Sequence, residues 1–230
     1  MVSGMINNKI VYTAIFADKD NVKQICKSEN CDYVLFTDDP ELDSDIFRVV
    51  FCDVNYQDPT RQARYYKVLA HRLFPDYDYS LWVDASMRIE GIDINRLFDR
   101  YLKSHDIALH EHPARNCIYD EARECIKRNK DNPATINQQL ETYRDHGYPP
   151  DNGLVSTGIL FRRHTDEIAQ LNEFWWNEIE KHSRRDQLSF NYVARKNDID
   201  YFTIKGSVKD NEVEGFSIIP HKRKKSFKNW

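Results

Sequence analysis

The sequence contains few glycines and none of the glycine-rich loops that hold phosphates. Seven glycines occur in 230 residues, and neither G-x-G-x-x-G nor G-x-x-x-x-G-K-[ST] is present. Both loops work because bare backbone can approach a phosphate closely. Their absence argues against dinucleotide-dependent oxidoreductases and against P-loop nucleotide hydrolases.

Paired cysteines and long apolar runs are also absent. Five cysteines are an odd number, and no two of them have C-x-x-C spacing. This pattern signals neither a disulfide framework nor a zinc site, and it favours reduced thiols in the cytoplasm. No stretch approaches the roughly 20 apolar residues of a membrane span, and the N-terminus does not resemble a signal peptide. We therefore expect a soluble, cytoplasmic chain without an integral membrane segment.

The charge balance is slightly acidic. A formal net charge of -4 and a pI near 6.1 argue against a general nucleic-acid binder, which needs a broad basic surface. Residues 221–230 are the exception, since His221 begins a strongly basic tail that includes Lys222. Such a tail is either solvated or folded over an anionic ligand. With 40% hydrophobic residues, the chain is expected to form one domain over 1–230.

The first 54 residues predict the opening of an α/β sheet. Lys9–Phe16 and Asp32–Pro40 are predicted strands, 47–54 is a third, and Asp18–Asn30 is predicted as a short helix. A strand, a helix and a further strand with acids at the strand end are typical of nucleotide-binding sheets. Candidate binding residues here are Thr13 and Asp38.

The stretch Tyr79–Ile89 organises the rest of the sequence. An apolar strand ends in Asp84, so this carboxylate is expected at the carboxyl end of the sheet, where α/β proteins bind ligands. Upstream, Arg61–Phe74 predicts an amphipathic helix with one basic face: Arg61, Arg64, Lys67 and His71. A carboxylate beside a cationic face suits a nucleotide diphosphate with a divalent cation. The alternative is that Asp84 caps a turn and the basic face is solvated.

The second half supplies further candidates. His110 and His112 share one side of a predicted strand; a packed or substrate-facing role is favoured over a metal pair, because no third ligand follows at a useful spacing. Leu154–Arg162 is a strand that contains Thr157 and Gly158, and glycine inside a strand often marks close approach of a ligand or of a neighbouring backbone. After a helix over 165–181, Asp186 and Gln187 are expected at the exposed start of another helix, where Asp186 could instead be a cap.

Several motifs in order resemble a glycosyltransferase-like family first catalogued as a domain of unknown function. That family includes a plant protein implicated in seed-mucilage polysaccharide synthesis and a plant protein described as an alkaline ceramidase. The resemblance covers roughly residues 10–205. It is carried by Arg61-Gln-Ala-Arg64 with Lys67 and His71, Phe74-Pro-Asp-Tyr77, Trp82-Val-Asp84-Ala-Ser86, His112-Pro113-Ala-Arg115 with Cys117-Ile-Tyr119 and Glu121-Ala122, Gly153-Leu154, and Trp176-Asn-Glu-Ile179 followed by Ser183-Arg-Arg185-Asp186-Gln187-Leu-Ser-Phe190.

The motif order also resembles, more distantly, glycogenin-like sugar transferases of the GT-A fold. That likeness implies a GT-A-like α/β single domain with a mixed, mostly parallel sheet flanked by helices, a nucleotide-binding half (8–90) and an acceptor half (91–220). By the same likeness, the donor-binding residues would be Thr13, Asp38, Arg61, Arg64, Lys67, Asp84, Ala85, Ser86, Thr157, Gly158 and Lys222. The catalytic residues would be Arg185, Asp186 and Gln187, and the ligands of Mn²⁺ or Mg²⁺ would be Asp84 and His221. The sequence departs from those enzymes at Ser86, where a second aspartate is expected.

The expected function is therefore transfer of a sugar from a nucleotide-diphosphate donor, with a UDP sugar expected, to a glycan or glycoconjugate acceptor. Peripheral location at a membrane where glycans are assembled is compatible with this function. Asp186 could serve as an inverting base, as a retaining nucleophile or as a hydrogen-bonding partner of the sugar. One alternative is a hydrolase of amide lipids, disfavoured because no membrane span, G-x-S-x-G elbow or zinc triad is evident. A second alternative is a non-catalytic carbohydrate-binding domain, in which Ser86 in place of the expected aspartate would indicate that the metal site has been lost.

Overall fold

The computed structural model describes residues 8–22, 25–208 and 213–219. The strands are β1 (Lys9–Ile15), β2 (Cys31–Thr37), β3 (Arg48–Phe51), β4 (Tyr79–Val83), β5 (Met87–Ile89), β6 (Ile107–Glu111), β7 (Val155–Arg163), β8 (Phe202–Ile204) and β9 (Phe216–Ile218). The helices are α1 (Pro59–Val68), α2 (Ala70–Leu73), α3 (Ile94–Tyr101), α4 (Ile118–Lys127), α5 (Pro133–Asp145), α6 (Asp166–Lys181) and α7 (Phe190–Lys196), with a 3-10 helix at Asp186–Leu188.

Seven strands form one mixed sheet in the order β3-β2-β1-β4-β7-β6-β8. Only β7 runs against its neighbours, since its pairings with β4 and β6 are both antiparallel and the other pairings are parallel. A separate two-stranded sheet pairs β5 with β9. The predicted α/β fold with a mixed, mostly parallel sheet is confirmed, and the strand order is consistent with a GT-A-like fold.

The sheet separates two hydrophobic cores. On one face, Tyr12 and Trp82 pack against α1 and α6. Trp175 and Trp176 of α6 are buried, as their helical spacing predicts. The other face packs Val11 against α3 and the small sheet. Strands buried on both faces are continuous apolar runs, which explains why their positions follow from the sequence.

Two helix predictions differ from the structure. The predicted helix over Asp18–Asn30 is wrong, because none of the described residues in that range is helical. Ala17 and Asp18 have φ of 54° and 48°, and this left-handed conformation is incompatible with entering a right-handed helix. The predicted helix over 61–74 is broken at Leu69, whose ψ of 43° separates α1 from α2.

The arginine of β7 explains how the break between α1 and α2 is accommodated. Arg162 is fully buried and donates hydrogen bonds to the carbonyl oxygens of Lys67 and Val68, each over 2.9 Å. Carbonyls at a helix end have no partner within the helix, so a buried donor satisfies them. The end of α1, and with it Lys67, is thereby fixed to the sheet.

In the part of the chain that the structure describes, no helix combines the length and the apolar character needed to cross a bilayer. The five cysteines are all free thiols. The division into a nucleotide half and an acceptor half stays a prediction.

Candidate functional site

Four elements meet at one edge of the sheet. Asp84 directly follows β4, and Lys67 lies in the last turn of α1. Because β7 is antiparallel, its beginning lies at the edge where β4 ends, and the Asp84 N–H donates to the Gly158 carbonyl over 2.8 Å. The 3-10 helix brings Asp186 to the same place. The structure thus joins candidates that are far apart in sequence.

Asp186 is the most heavily paired acid of this cluster. Its Oδ2 lies 2.6 Å from Lys67 Nζ and accepts a hydrogen bond from Thr157 Oγ1 over 2.7 Å, while its Oδ1 lies 2.9 Å from Arg64 Nε. Burial by itself would raise the pKa of this carboxyl group, but Arg64, Lys67 and Arg185 lower the pKa well below its usual range. Asp186 is therefore a stable anion.

The expectation that Asp186 is exposed is wrong, since its side chain is 1% exposed. The capping alternative is also wrong. Its carboxylate oxygens contact side chains, and it is the backbone carbonyl of Asp186 that accepts from the Ser189 N–H and from Trp175 Nε1. The charge is held by cations from α1, not by backbone N–H groups.

Lys67 links the two acids. Its fully buried ammonium lies 2.6 Å from Asp186 Oδ2, 3.2 Å from Thr157 Oγ1 and 3.4 Å from Asp84 Oδ1. Burial lowers the pKa of Lys67 below its ordinary value, although the negative charges of Asp186 and Asp84 act in the opposite direction. The three N–H donors of an ammonium match these three acceptors. Solvation of the basic helix face, the alternative for this position, is therefore wrong for Lys67.

Asp84 is more accessible than Asp186, with 28% of its side chain exposed. Its Oδ1 accepts from Trp82 Nε1 over 2.7 Å and lies 3.9 Å from Arg64 Nη1. Among the described residues none donates a hydrogen bond to Oδ2, which lies on the side of Gly158. One oxygen is thus fixed by the protein, and the other is available to a ligand.

Gly158 permits close packing beside Asp84. A Cβ at this position would lie 2.4 Å from Met87 Cε and 3.4 Å from Asp84 Oδ2. Since real Cβ atoms do not approach other atoms to 2.4 Å, only glycine allows Met87 to lie flat against β7 here. The close neighbours at this glycine are the side chains of Met87 and Asp84, and the approach of a ligand or of neighbouring backbone stays a prediction.

A largely apolar cleft borders Asp84 on the face of the sheet that packs against α3, and Thr13, Asp84 and Ala85 are among its lining residues. The empty space in this cleft, including space open to solvent, is about 330 Å³. Thr13 is 5% exposed, and its Oγ1 has no hydrogen-bond partner among the described residues. An unpaired buried hydroxyl at the wall of a cleft is a polar group that a ligand can satisfy.

Arg185 and Gln187 flank Asp186. Arg185 Nη2 donates to Gln187 Oε1 over 3.2 Å, and Gln187 Nε2 donates to the Val155 carbonyl over 3.4 Å. Burial alone would lower the pKa of Arg185, but Asp186 and nearby groups on α4 raise it above its ordinary value. Arg185 therefore adds a third positive charge beside the two acids.

Other predicted residues have different partners. Arg61 Nη2 donates to the His182 carbonyl over 3.1 Å, which ties α1 to the loop before Asp186. Asp38 accepts the Ala17 N–H on both oxygens, at 3.0 and 3.1 Å. Both therefore support backbone next to the site, and their role in donor binding stays a prediction.

Ser86 lies in the turn between β4 and β5. The Met87 N–H closes this turn on the Asp84 carbonyl over 2.8 Å, and the Ile219 N–H donates to the Ser86 carbonyl over 2.7 Å. His221 and Lys222 lie outside the described residues. Ile219, two positions before His221, is thus adjacent to the turn that carries the predicted metal ligand.

The described residues fit a hard divalent cation if the substrate completes its coordination. Asp84 Oδ2 is an available oxygen, and Mg²⁺ and Mn²⁺ sites are commonly built from one or two carboxylates plus substrate phosphates. The group of potential ligands close enough to share an ion, Cys117, Asp120 and Asp151, does not include Asp84. Among the described residues, Asp84 is therefore the protein ligand at this position, and the substrate would have to supply further ligands.

Three structural partners of the site were not predicted: Trp82, Trp175 and Arg162. Trp82 is in β4, two residues before Asp84, which directly follows the strand, so the indole N–H and the carboxylate lie on one side. That spacing was an available signal. Arg162 carried none, because a fully buried arginine is contrary to the usual exposure of this residue type.

The fold and the site define the class of this protein: an α/β domain whose strand order is consistent with a GT-A-like fold and which carries a cluster of paired charges at the carboxyl end of β4. The family model of the TOD1/MUCI70 glycosyltransferase-like domain matches residues 3–212, and the chain belongs to this family. The predicted family membership is confirmed.

Two curated relatives, both from Arabidopsis thaliana, are similar to this chain. The probable hexosyltransferase MUCI70 is 28% identical over 162 residues, which is 66% of this chain and 28% of the relative. The alkaline ceramidase TOD1 is 27% identical over 254 residues, which is 91% of this chain and 52% of the relative. The chain therefore spans between about a quarter and about half of the length of these relatives.

Proposed function

We propose that this chain transfers a sugar from a nucleotide-diphosphate donor, for which a UDP sugar is the first candidate, to a glycan or glycoconjugate acceptor. The observation that carries the proposal is the position of Asp84. It stands at the carboxyl end of β4, between the cleft of Thr13 and the ion pair of Lys67 with Asp186. The family and the probable hexosyltransferase among its relatives support the same reaction class.

The cleft of Thr13 is the proposed nucleoside site. Its walls are largely apolar, which suits a base and a ribose, and the unpaired Thr13 hydroxyl offers one hydrogen bond. The diphosphate would then extend toward Asp84. Arg64 is the proposed phosphate contact within the described residues, because its side chain is 14% exposed whereas Lys67 is fully buried.

Asp186 is proposed to act electrostatically. A carboxylate with a strongly lowered pKa is a weak base, so proton removal from the acceptor hydroxyl does not suit it. Nucleophilic attack does not suit it either, since both oxygens are occupied by cations and by Thr157. Its fixed charge instead holds Lys67 and Arg64 in place beside Asp84.

Mn²⁺ or Mg²⁺ is proposed to bind Asp84 Oδ2, with His221 as a second ligand. The ion would neutralise charge on the leaving diphosphate. Replacing Ser86 with aspartate tests this arrangement. Ser86→Asp should tighten Mn²⁺ binding by about tenfold or more, measured by electron paramagnetic resonance of free Mn²⁺, because a second carboxylate would face the ion. Ser86→Asn is the control of equal size, and equal tightening by both variants would contradict the metal site.

The donor is tested by thermal unfolding against UDP, GDP, CMP and dTDP sugars, with and without Mn²⁺. A ligand at about 100 times its Kd adds about 2.7 kcal/mol and should raise Tm by about 5–10 °C in a domain of this size. Asp84→Asn should abolish the shift. Asp99→Asn, which changes an exposed acid on α3, should preserve it.

Transfer itself is measured as sugar incorporation into added glycans with the donor that gives the shift. Absence of any shift, together with release of sphingosine from ceramide, would replace the proposal with amide-lipid hydrolysis. Binding of glycans without affinity for any nucleotide would replace it with a carbohydrate-binding role.

A further inference from the structure

A second cleft lies beyond Met87, outside the site built around Asp84. Its empty space, including space open to solvent, is about 350 Å³, and its lining residues include Met87, His110, Ser156, Ile159, Val208 and Ile218. Met87 also lines the cleft of Thr13, so a single side chain stands between the two. Ligands in the two clefts would therefore be neighbours.

His110 is the polar group at this cleft whose hydrogen-bonding capacity is unused. It is 3% exposed, and neither Nδ1 nor Nε2 has a hydrogen-bond partner among the described residues. The adjacent acid does not satisfy it, because Glu111 accepts from Lys205 Nζ over 2.7 Å and from the Gly206 N–H over 3.3 Å. Leaving a buried imidazole unpaired is costly, which points to a ligand as the missing partner.

The irregularity between β6 and β7 explains why His110 is turned into the cleft. Leu109 pairs with Leu160, but the next residue, His110, pairs with Ser156, so three residues of β7 are skipped. A bulge of this kind re-aims side chains and is frequent beside binding sites. The skipped residues are those that contact Lys67 and Met87, so the same bulge shapes both clefts.

The chemistry of the cleft selects the ligand. Burial lowers the pKa of His110 to about 4, so the ring is neutral near pH 7 and presents one N–H donor and one nitrogen acceptor. A hydroxyl group can both donate and accept, and it carries no charge that would have to be desolvated. The apolar side chains of Met87, Ile159 and Ile218 suit the C–H face of a ring.

We propose that this cleft binds a sugar ring of the acceptor, with His110 hydrogen-bonded to its hydroxyl groups and Met87 separating it from the donor. The proposal rests on the proposed function, and it adds the acceptor subsite. His110 is a binding residue here and takes no part in proton transfer.

The first test needs neither donor nor activity. The histidine ring signals of the isotope-labelled protein are followed by NMR while methyl glycosides of hexoses and pentoses are added, and the His110 signal is assigned with His110→Gln. At least one glycoside should shift that signal and leave the signal of His164 in place. His164 is a suitable reference because it is also buried, with its pKa lowered to about 4, but it lies after the far end of β7. No shift with any glycoside would overturn the subsite.

The second test separates the acceptor from the donor. His110→Leu should raise the KM for the acceptor by about tenfold or more, whereas the Kd of the UDP sugar should stay within about twofold of the wild-type value. Ile218→Trp, at the partly exposed edge of the cleft, should have the same effect by filling it, and it does not depend on how His110→Leu folds. His164→Leu is the matched buried control and should leave the acceptor KM unchanged.

The two proposals fail in different ways. If the UDP sugars bind and are transferred but both variants keep the wild-type acceptor KM, the subsite is wrong and the function stands. If a glycoside shifts the His110 signal but no nucleotide sugar binds, the subsite stands as a sugar site and the transferase proposal is wrong.

Discussion

Lys67 has no hydrogen left to offer a substrate. Its ammonium is enclosed, and Asp186, Thr157 and Asp84 take its three donors. A lysine expected to reach the phosphates is instead the internal cation that fixes both acids. Asp84 is the member of this group with an oxygen, Oδ2, that accepts from none of the described residues, so direct contact with a ligand is proposed for Asp84 and indirect support for Lys67.

The charge of Asp186 should be essential for stability as well as for function. Asp186→Asn leaves Lys67 and Arg64 without their buried counter-charge, and removing one partner of a buried pair costs about 3–5 kcal/mol. Urea unfolding at neutral pH measures this change. Asp99→Asn, at an exposed acid, should cost less than about 0.5 kcal/mol.

The pH dependence of stability should carry the same signature. Because the pKa of Asp186 is lowered in the native state, its contribution is complete above about pH 5. As pH falls through the ordinary aspartate value near 3.9, the unfolded chain takes up a proton that the native carboxylate does not, and the free energy of unfolding falls. The difference between wild type and Asp186→Asn should therefore shrink from pH 5 to pH 3. A constant difference would contradict the pairing.

At the level of elements, the buried strands were predictable from the sequence, but strand direction and the conformation of the segments that connect the strands were not. The strands β1 and β4 follow from continuous apolar residues. The reversal of β7 is a property of topology, and nothing within Val155–Arg163 encodes its direction. The failed helix over 18–30 and the break at Leu69 depend on backbone conformations that contacts elsewhere stabilise, such as Arg162 at the end of α1.

Packing between β5 and β7 should show strong coupling between Gly158 and Met87. Gly158→Ala forces Met87 Cε to move, and because this atom ends a flexible side chain the cost should be about 1–2 kcal/mol. The combination with Met87→Ala should cost less than the sum of the two single variants by at least about 0.5 kcal/mol. Chemical denaturation of the four proteins measures the coupling.

Gly147→Ala provides the comparison for this cycle. A Cβ there would meet nothing within 4 Å, although its φ of +70° makes the substitution costly by itself. Its effect should simply add to that of Met87→Ala. Additive behaviour of Gly158→Ala as well would mean that the contact with Met87 is not the reason for glycine at that position.

At the scale of the whole molecule, the five thiols report how completely the two cores are closed. Cys26 is exposed and Cys52 partly so, whereas Cys31, Cys117 and Cys125 are buried. Burial raises the pKa of Cys31 and of Cys125 to about 11, so few thiolates form there at neutral pH. The exposed Cys26 is therefore expected to react fastest with thiol reagents, and the buried cysteines are expected to react slowest.

Ellman's reagent should therefore modify one thiol of the native protein rapidly. Cys26→Ser should remove that rapid phase, and Cys52 should react more slowly. The three buried thiols should become reactive only in denaturant. Rapid reaction of three or more thiols in the native protein would contradict the closed cores.

The antiparallel strand at the centre of the sheet has a consequence for synthesis of the chain. Tyr79 of β4 pairs with Arg163 of β7. One edge of β4 therefore stays unpaired until β7, which is synthesised much later, has left the ribosome. An unpaired apolar strand edge recruits other strands, and long-range pairings form slowly. The pairing that ends this exposure is also the one that brings Gly158 beside Asp84 and Thr157 beside Asp186. Protection of the nascent chain from aggregation and assembly of the candidate site are therefore a single late event.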